Sequence, residues 1–192
     1  MSKATILLAL IGFPLMAFAG GKKEVTITQE GRTVLLKEVE NEVTLKKMAF
    51  SIRFCNKRYT DDAPAATMIA AFTDKASLDK IKTGVTAKEV PFFAPGTGLA
   101  ADATGYSSIF LDNEANHYLY YKDESDKRAN LVADDKGMLT LEWTPHSFYL
   151  DGKDTEFADA GVNTVYLVMF TDYNRNGIVD KDELKKVTLT FE

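Results

Sequence analysis

Five oxygen-bearing side chains near the end of the chain stand at a spacing that suits a hard cation. They are Asp172, Asn174, Asn176, Asp180 and Glu183, at positions 1, 3, 5, 9 and 12 of the segment DYNRNGIVDKDE. A divalent ion such as Ca²⁺ takes roughly six to eight oxygens at once, and a short loop delivers them by turning alternate side chains inward. Gly177 at position 6 allows the sharp turn that a residue with a Cβ resists. The aliphatic pair Ile178–Val179 follows it.

This segment resembles the calcium-binding loop of the EF-hand family at its diagnostic positions. The resemblance implies that the backbone carbonyl of Ile178, at position 7, joins the side-chain oxygens. It implies that Glu183 closes the shell with both carboxylate oxygens and that Asp180 binds directly or through water. The match covers twelve residues of 192. The helices that flank such a loop in the family are not written here. Asn163 to Thr171 (NTVYLVMFT) is β-branched, aromatic and apolar without helical spacing, and Val187 to Glu192 (VTLTFE) alternates apolar and polar. Both predict strands. One helical turn at most fits around Lys181–Lys186. No second loop of the pattern occurs, which disfavours a paired calcium sensor and favours a fixed structural site.

The elements that must position the loop are predicted to be strands throughout. Val25–Thr28 and Thr33–Leu36 flank the turn Gln29-Glu30-Gly31-Arg32 as a first hairpin. Between Glu42 and Asn56, Val43 and Leu45 share one parity while Met48, Phe50, Ile52 and Phe54 share the other. That slip at Lys46-Lys47 predicts a bulge or a chain changing sheets. Thr67–Thr73, Ser108–Leu111, His117–Tyr121, Met138–Trp143 and Ser147–Leu150 are further short strands. Lys75–Lys82 suits one or two helical turns with Leu78 and Ile81 inward. Thr164–Phe170 is apolar on both parities, as a strand covered on both faces should be. With Val187–Phe191 as its expected neighbour, the cation loop would connect the last two strands. About nine to eleven short strands between Gly, Pro and Asp turns predict an all-β fold, a single antiparallel β-sandwich of immunoglobulin-like or jelly-roll type.

The N-terminus reads as a secretory signal. Lys3 precedes an apolar run from Ile6 to Phe18, and Ala17 and Ala19 give the small-x-small pattern for cleavage after Ala19. The run is shorter than the ~20 residues of a membrane span, and no other stretch is long and apolar enough to cross a bilayer. The expected mature chain is one soluble domain, residues 20–192, destined for the periplasm, the cell surface or the medium. Without Lys3 it carries 22 basic residues against 28 acidic ones. An acidic chain without a basic block is a poor partner for nucleic acid. The single Cys55 excludes an internal disulfide and reads as a small core residue.

The other chemistry-bearing residues read as structural. Asp61-Asp62 suits a solvated turn, and Asp151–Gly161 an acidic loop without cation spacing. Phe92, Phe93 and Tyr106, in a Pro/Gly-rich stretch from 91 to 107, are read as plugging the core in preference to stacking on a sugar. Tyr118, Tyr120 and Tyr121 are read as strand packing, and Lys122 to Asn130 as a mixed-charge loop. Neither His117 nor His146 sits in a catalytic setting, and no G-x-S-x-G or H-E-x-x-H motif occurs. The reading that follows is an exported calcium-binding β-sandwich serving as a binding or interaction module, its ligand a glycan or an envelope protein. An exported glycan-active hydrolase using paired carboxylates is the alternative.

Overall fold

The computed structural model describes residues 23–93, 105–112 and 118–192. The expected leader with its cleavage site, part of the Pro/Gly-rich stretch, and His117 lie outside these residues. The described chain is an all-β sandwich. The first sheet orders β10 (Asn130–Asp135), β11 (Met138–Trp143), β4 (Ser51–Lys57), β1 (Thr26–Gln29) and β2 (Arg32–Leu35). The second orders β13 (Lys153–Glu156), β12 (Ser147–Leu150), β6 (Ser108–Leu111), β5 (Thr67–Phe72), β14 (Thr164–Phe170), β15 (Leu184–Phe191) and β3 (Glu40–Leu45), and β7 (Tyr118–Leu119) also pairs with β5. A small hairpin joins β8 (Tyr121–Asp123) and β9 (Asp126–Lys127).

Local chemistry explains the first elements. Glu30 and Gly31 both take left-handed φ, at 48° and 80°, which gives the β1–β2 hairpin a turn matched to strand twist. The parity slip at Lys46-Lys47 marks the place where the chain leaves β3 in one sheet for β4 in the other. Gln29 fixes that crossing. Its amide oxygen accepts the Lys46 N–H at 2.7 Å, and its amide nitrogen donates to the Lys46 and Met48 carbonyls at 3.1 and 3.0 Å.

The sheets bury one core between them. Ile27, Ile52, Phe54, Leu139 and Leu141 face Ile69, Leu111, Leu167, Val187 and Leu189. Rings of Phe50, Phe148, Phe157 and Phe191 fill one end, with centroids from 4.7 to 6.2 Å apart. The second sheet has a further core on its outer face. Met68, Ala70, Phe72, Val168, Phe170 and Leu184 lie there under α1 (Lys75–Lys80) and the segment that follows it. Leu78, Ile81, Phe92 and Phe93 close this layer. The Asp74 carboxylate caps α1 by accepting the Ser77 N–H at 2.7 Å. The two-faced character of β14 therefore has a cause on each side.

Four features differ from the sequence expectation. β15 and β3 pair in parallel, from Lys186↔Glu40 to Phe191↔Leu45, so the second sheet is mixed. β15 starts at Leu184, so strand takes the second half of Lys181–Lys186, after a single turn closed by the Glu183 N–H on the Asp180 carbonyl at 3.1 Å. Its two lysines are buried: Lys185 donates from Nζ to the Lys37 and Glu38 carbonyls at 3.2 and 3.1 Å, and burial lowers both ammonium pKa values. Residues 122–130 hold β8, β9 and the start of β10. Asp151–Gly161 opens as a hairpin turn into β13 and delivers Phe157 to the core, at the opposite end of β14 from the 172–183 loop. β8, β9 and β13 are short and mostly polar, so they carry no apolar alternation to read. No helix among the described residues is long and apolar enough to cross a membrane.

A strand packed on both faces makes a sharp prediction. Leu167→Ala should cost about 2–5 kcal/mol by removing inner-core volume. Val168→Ala, one residue on, should cost about 2 kcal/mol on the outer face. An outer face open to water would hold the second value within roughly 0.5 kcal/mol, and urea unfolding of the two variants separates the cases.

Candidate metal centre

The 172–183 loop joins β14 to β15, which pair antiparallel from Thr164↔Thr190 to Phe170↔Leu184. One further bond, from the Thr171 N–H to the Glu183 carbonyl at 3.1 Å, closes its neck. Glu183 thus ends the ladder with its backbone and enters the loop with its side chain.

All five predicted side chains join one hydrogen-bond network. Asp172 Oδ1 and Oδ2 accept the N–H groups of Asn176 and Gly177 at 3.2 and 3.0 Å. Asn174 Oδ1 accepts the Asn176 N–H at 2.9 Å, and Asn176 Oδ1 accepts the Ile178 N–H at 2.7 Å. Both asparagines donate from Nδ2 to one atom, Asp180 Oδ2, at 2.8 and 2.9 Å. Glu183 Oε1 accepts the N–H groups of Tyr173 and Asn174 at 2.8 and 3.1 Å. Arg175 and Gly177 take left-handed φ of 59° and 70°, which turns the chain tightly enough to bring these groups together.

One atom is left over. Glu183 is 3% exposed, and its Oε2 is buried with no hydrogen-bond partner. Burial pushes its carboxyl above the ordinary range; the Asn174 and Tyr173 N–H groups pull it down, and the negative charge of Asp172 pushes it up again. A buried carboxylate oxygen without a donor is costly. Among the described residues, no three His, Cys, Asp or Glu side chains are gathered closely enough to form a ready-made cluster. The loop's carboxylates are held by N–H donors and asparagine amides.

The loop is anchored from outside. Ile178 forms an isolated antiparallel bridge with Thr86. Val179 N–H donates to Val85 O at 2.9 Å, and Ala87 N–H donates to Gly177 O at 2.8 Å. In that pattern the flanking residues make the bonds, so the N–H and carbonyl of Ile178 both face the loop side. Val179 is fully buried in the outer core. Tyr173 reaches the other sheet, where its hydroxyl donates to the Cys55 carbonyl at 3.0 Å. Lys23 binds Asp182 at 2.8 Å and lies 4.7 Å over the Tyr173 ring.

Beside the loop runs a groove of about 650 Å³. Asp172, Arg175, Asn176 and Gly177 form one wall, and Thr86, Ala87 and Lys88 continue it. Its floor includes Met68, Phe93, Tyr118 and Phe170. Sequence reasoning did not single out Arg175, Lys88 or the 84–87 bridge. The only signal was Gly84-Val85-Thr86, a glycine before two β-branched residues, which is weak evidence for a strand.

The remaining candidates resolve as structure. Phe92 and Phe93 plug the outer core, and Tyr106 packs against it. Tyr118, Tyr120 and Tyr59 pack edge-on or tilted against one another, with centroids 4.8 to 6.4 Å apart. Cys55 is buried, and burial raises its thiol. His146 is exposed, with Nδ1 3.3 Å from Asp112. Asp61 pairs with Lys122 at 3.1 Å. No family model matches the chain, and no curated protein or solved structure matches it.

Two predictions come from these contacts. Tyr173→Phe removes one buried hydrogen bond and should cost about 1 kcal/mol, read by urea unfolding. The Tyr118 hydroxyl is pushed up to about 12, first by burial and then by Tyr59 and Tyr120. An unfolded tyrosine releases its proton near pH ~10. The folded chain holds that proton longer, so this group costs no stability below ~10 and costs more as pH rises toward 12. Tyr118→Phe should flatten that part of the stability–pH curve, and an unchanged slope would count against it.

Proposed function

We propose that the protein is an exported calcium-binding β-sandwich, in which one ion ties the C-terminal strand pair together. The observation that carries the reading is the buried, partnerless Oε2 of Glu183 at the twelfth position of the loop. A cation is the partner that a buried carboxylate oxygen lacks, and position 12 is where the family's loop supplies a bidentate glutamate. The Asn174 and Asn176 side-chain oxygens each accept one backbone N–H and keep a lone pair that an ion could use. The Ile178 carbonyl already faces the loop. Asp172, Asn174, Asn176, Ile178, Asp180 and Glu183 would hold the ion, and the ion would supply two positive charges among three carboxylates. The role is structural, because the loop is flanked by strands locked in a sheet. The ion serves an interaction module of the cell envelope or the secreted fraction, with a glycan or an envelope protein as ligand.

Extracellular calcium modules bind at ~10⁻⁴–10⁻³ M. At about 100 times the dissociation constant, calcium stabilises the native state by about 2.7 kcal/mol. For a chain of this size that raises the melting midpoint by roughly 5–10 °C. Melting in about 10–100 mM calcium, which is that excess over the dissociation constant, and in chelator reads the shift directly. Glu183→Gln should remove it, and magnesium should give a smaller one. Equal midpoints with calcium and with chelator would sink the proposal.

A further inference from the structure

We infer that the groove beside the loop binds a small amphipathic monocarboxylate. Its volume of about 650 Å³ lies within the usual range for small-molecule sites. Its lining divides by chemistry. Met68, Phe93 and Phe170 are buried apolar residues at its floor, and Tyr118 is half-buried beside them. Ala63, Ala65 and Ala66 add small side chains to the same lining. An alkyl chain or a ring seats on such a surface by the area it removes from water.

The rim supplies the charge. Arg175 and Lys88 both line the groove, and both are exposed. Neither forms an ion pair among the described residues, although the chain carries 28 acidic residues against 23 basic ones. Seven other described cations are paired with carboxylates: Lys23, Lys46, Arg53, Arg58, Lys75, Lys122 and Lys127. A guanidinium and an ammonium at the mouth of an apolar groove fit an anionic head on an apolar body. Asp62 and Asp172 stand in the same lining. They balance the two cations, so a head group with one negative charge meets less repulsion there than a phosphate monoester with nearly two.

The proposal shares a wall with the calcium loop but does not depend on it, so the test is run in chelator. Isothermal titration with decanoate, below its micelle concentration, should show saturable one-to-one binding. Decylamine and decyl phosphate should bind at least ~10-fold more weakly, a difference of one decade in affinity. Replacing both cations, Arg175→Glu with Lys88→Glu, should weaken decanoate at least ~10-fold. The melting midpoint should hold, since both side chains are exposed. Ala63→Trp, which puts a large side chain into the lining, should weaken all three amphiphiles alike. Absent decanoate heat, equal affinity for the charge-reversed protein, or preference for the amine or the phosphate would overturn the inference. A calcium titration of the charge-reversed protein keeps the two readings apart. Calcium binding without decanoate binding in the parent chain overturns the groove alone, and decanoate binding without a calcium response overturns the metal centre alone.

Discussion

The structure turns on a single residue at the neck of a long connection. Glu183 closes the β14–β15 ladder through its carbonyl, and its side chain crosses into the loop to receive two backbone N–H groups. Thirteen residues, 171–183, join two strands that lie side by side in the sheet. A connection of that length would ordinarily be loose, because the strand ladder orders only its ends. Here polar bonds within the loop order its middle, and Val179 and Tyr173 fix it to two different layers. The loop belongs to the core as much as to the surface.

That placement explains the outer layer. The second sheet cannot leave its outer face wet, since Phe72, Val168 and Phe170 lie on it. The chain covers it with α1 and with Phe92 and Phe93, and the 172–183 loop meets the edge of that cover at the Thr86–Ile178 bridge. The groove is the seam between these pieces. It is floored by the outer core and walled by the loop, so its shape is fixed by elements that are themselves buried or bridged.

The fold was legible where one residue pattern decides one outcome. Apolar residues on both parities of Thr164–Phe170 announced a strand covered twice, and the slip at Lys46-Lys47 announced the change of sheet. The oxygen spacing of 172–183 was legible because alternate positions in a tight loop share one side. What stayed hidden depends on distant partners. Nothing near Lys185 and Lys186 says that two lysines will be buried, because the carbonyls of Lys37 and Glu38 that receive Lys185 come from far along the chain. The parallel pairing of β15 with β3 is non-local in the same way. The bridge at Thr86 and the cations at the groove mouth are single residues on loops, where spacing carries no period to read.

The flanking elements decide what an ion in this loop could do. In a helix-flanked loop, closing the shell can swing one helix against another and expose a surface. Here both flanks are strands in register over seven residue pairs, with neighbours on each side: β5 beside β14 and β3 beside β15. Swinging either strand would break ladder bonds and expose both cores at once, a cost far above the differential affinity that a single weakly bound ion would supply. A ligand shifts a conformational equilibrium only by what it contributes differently to the two states. An ion at Glu183 would therefore act on the balance between folded and unfolded chain, and the sheet that surrounds the loop would keep its shape in either case.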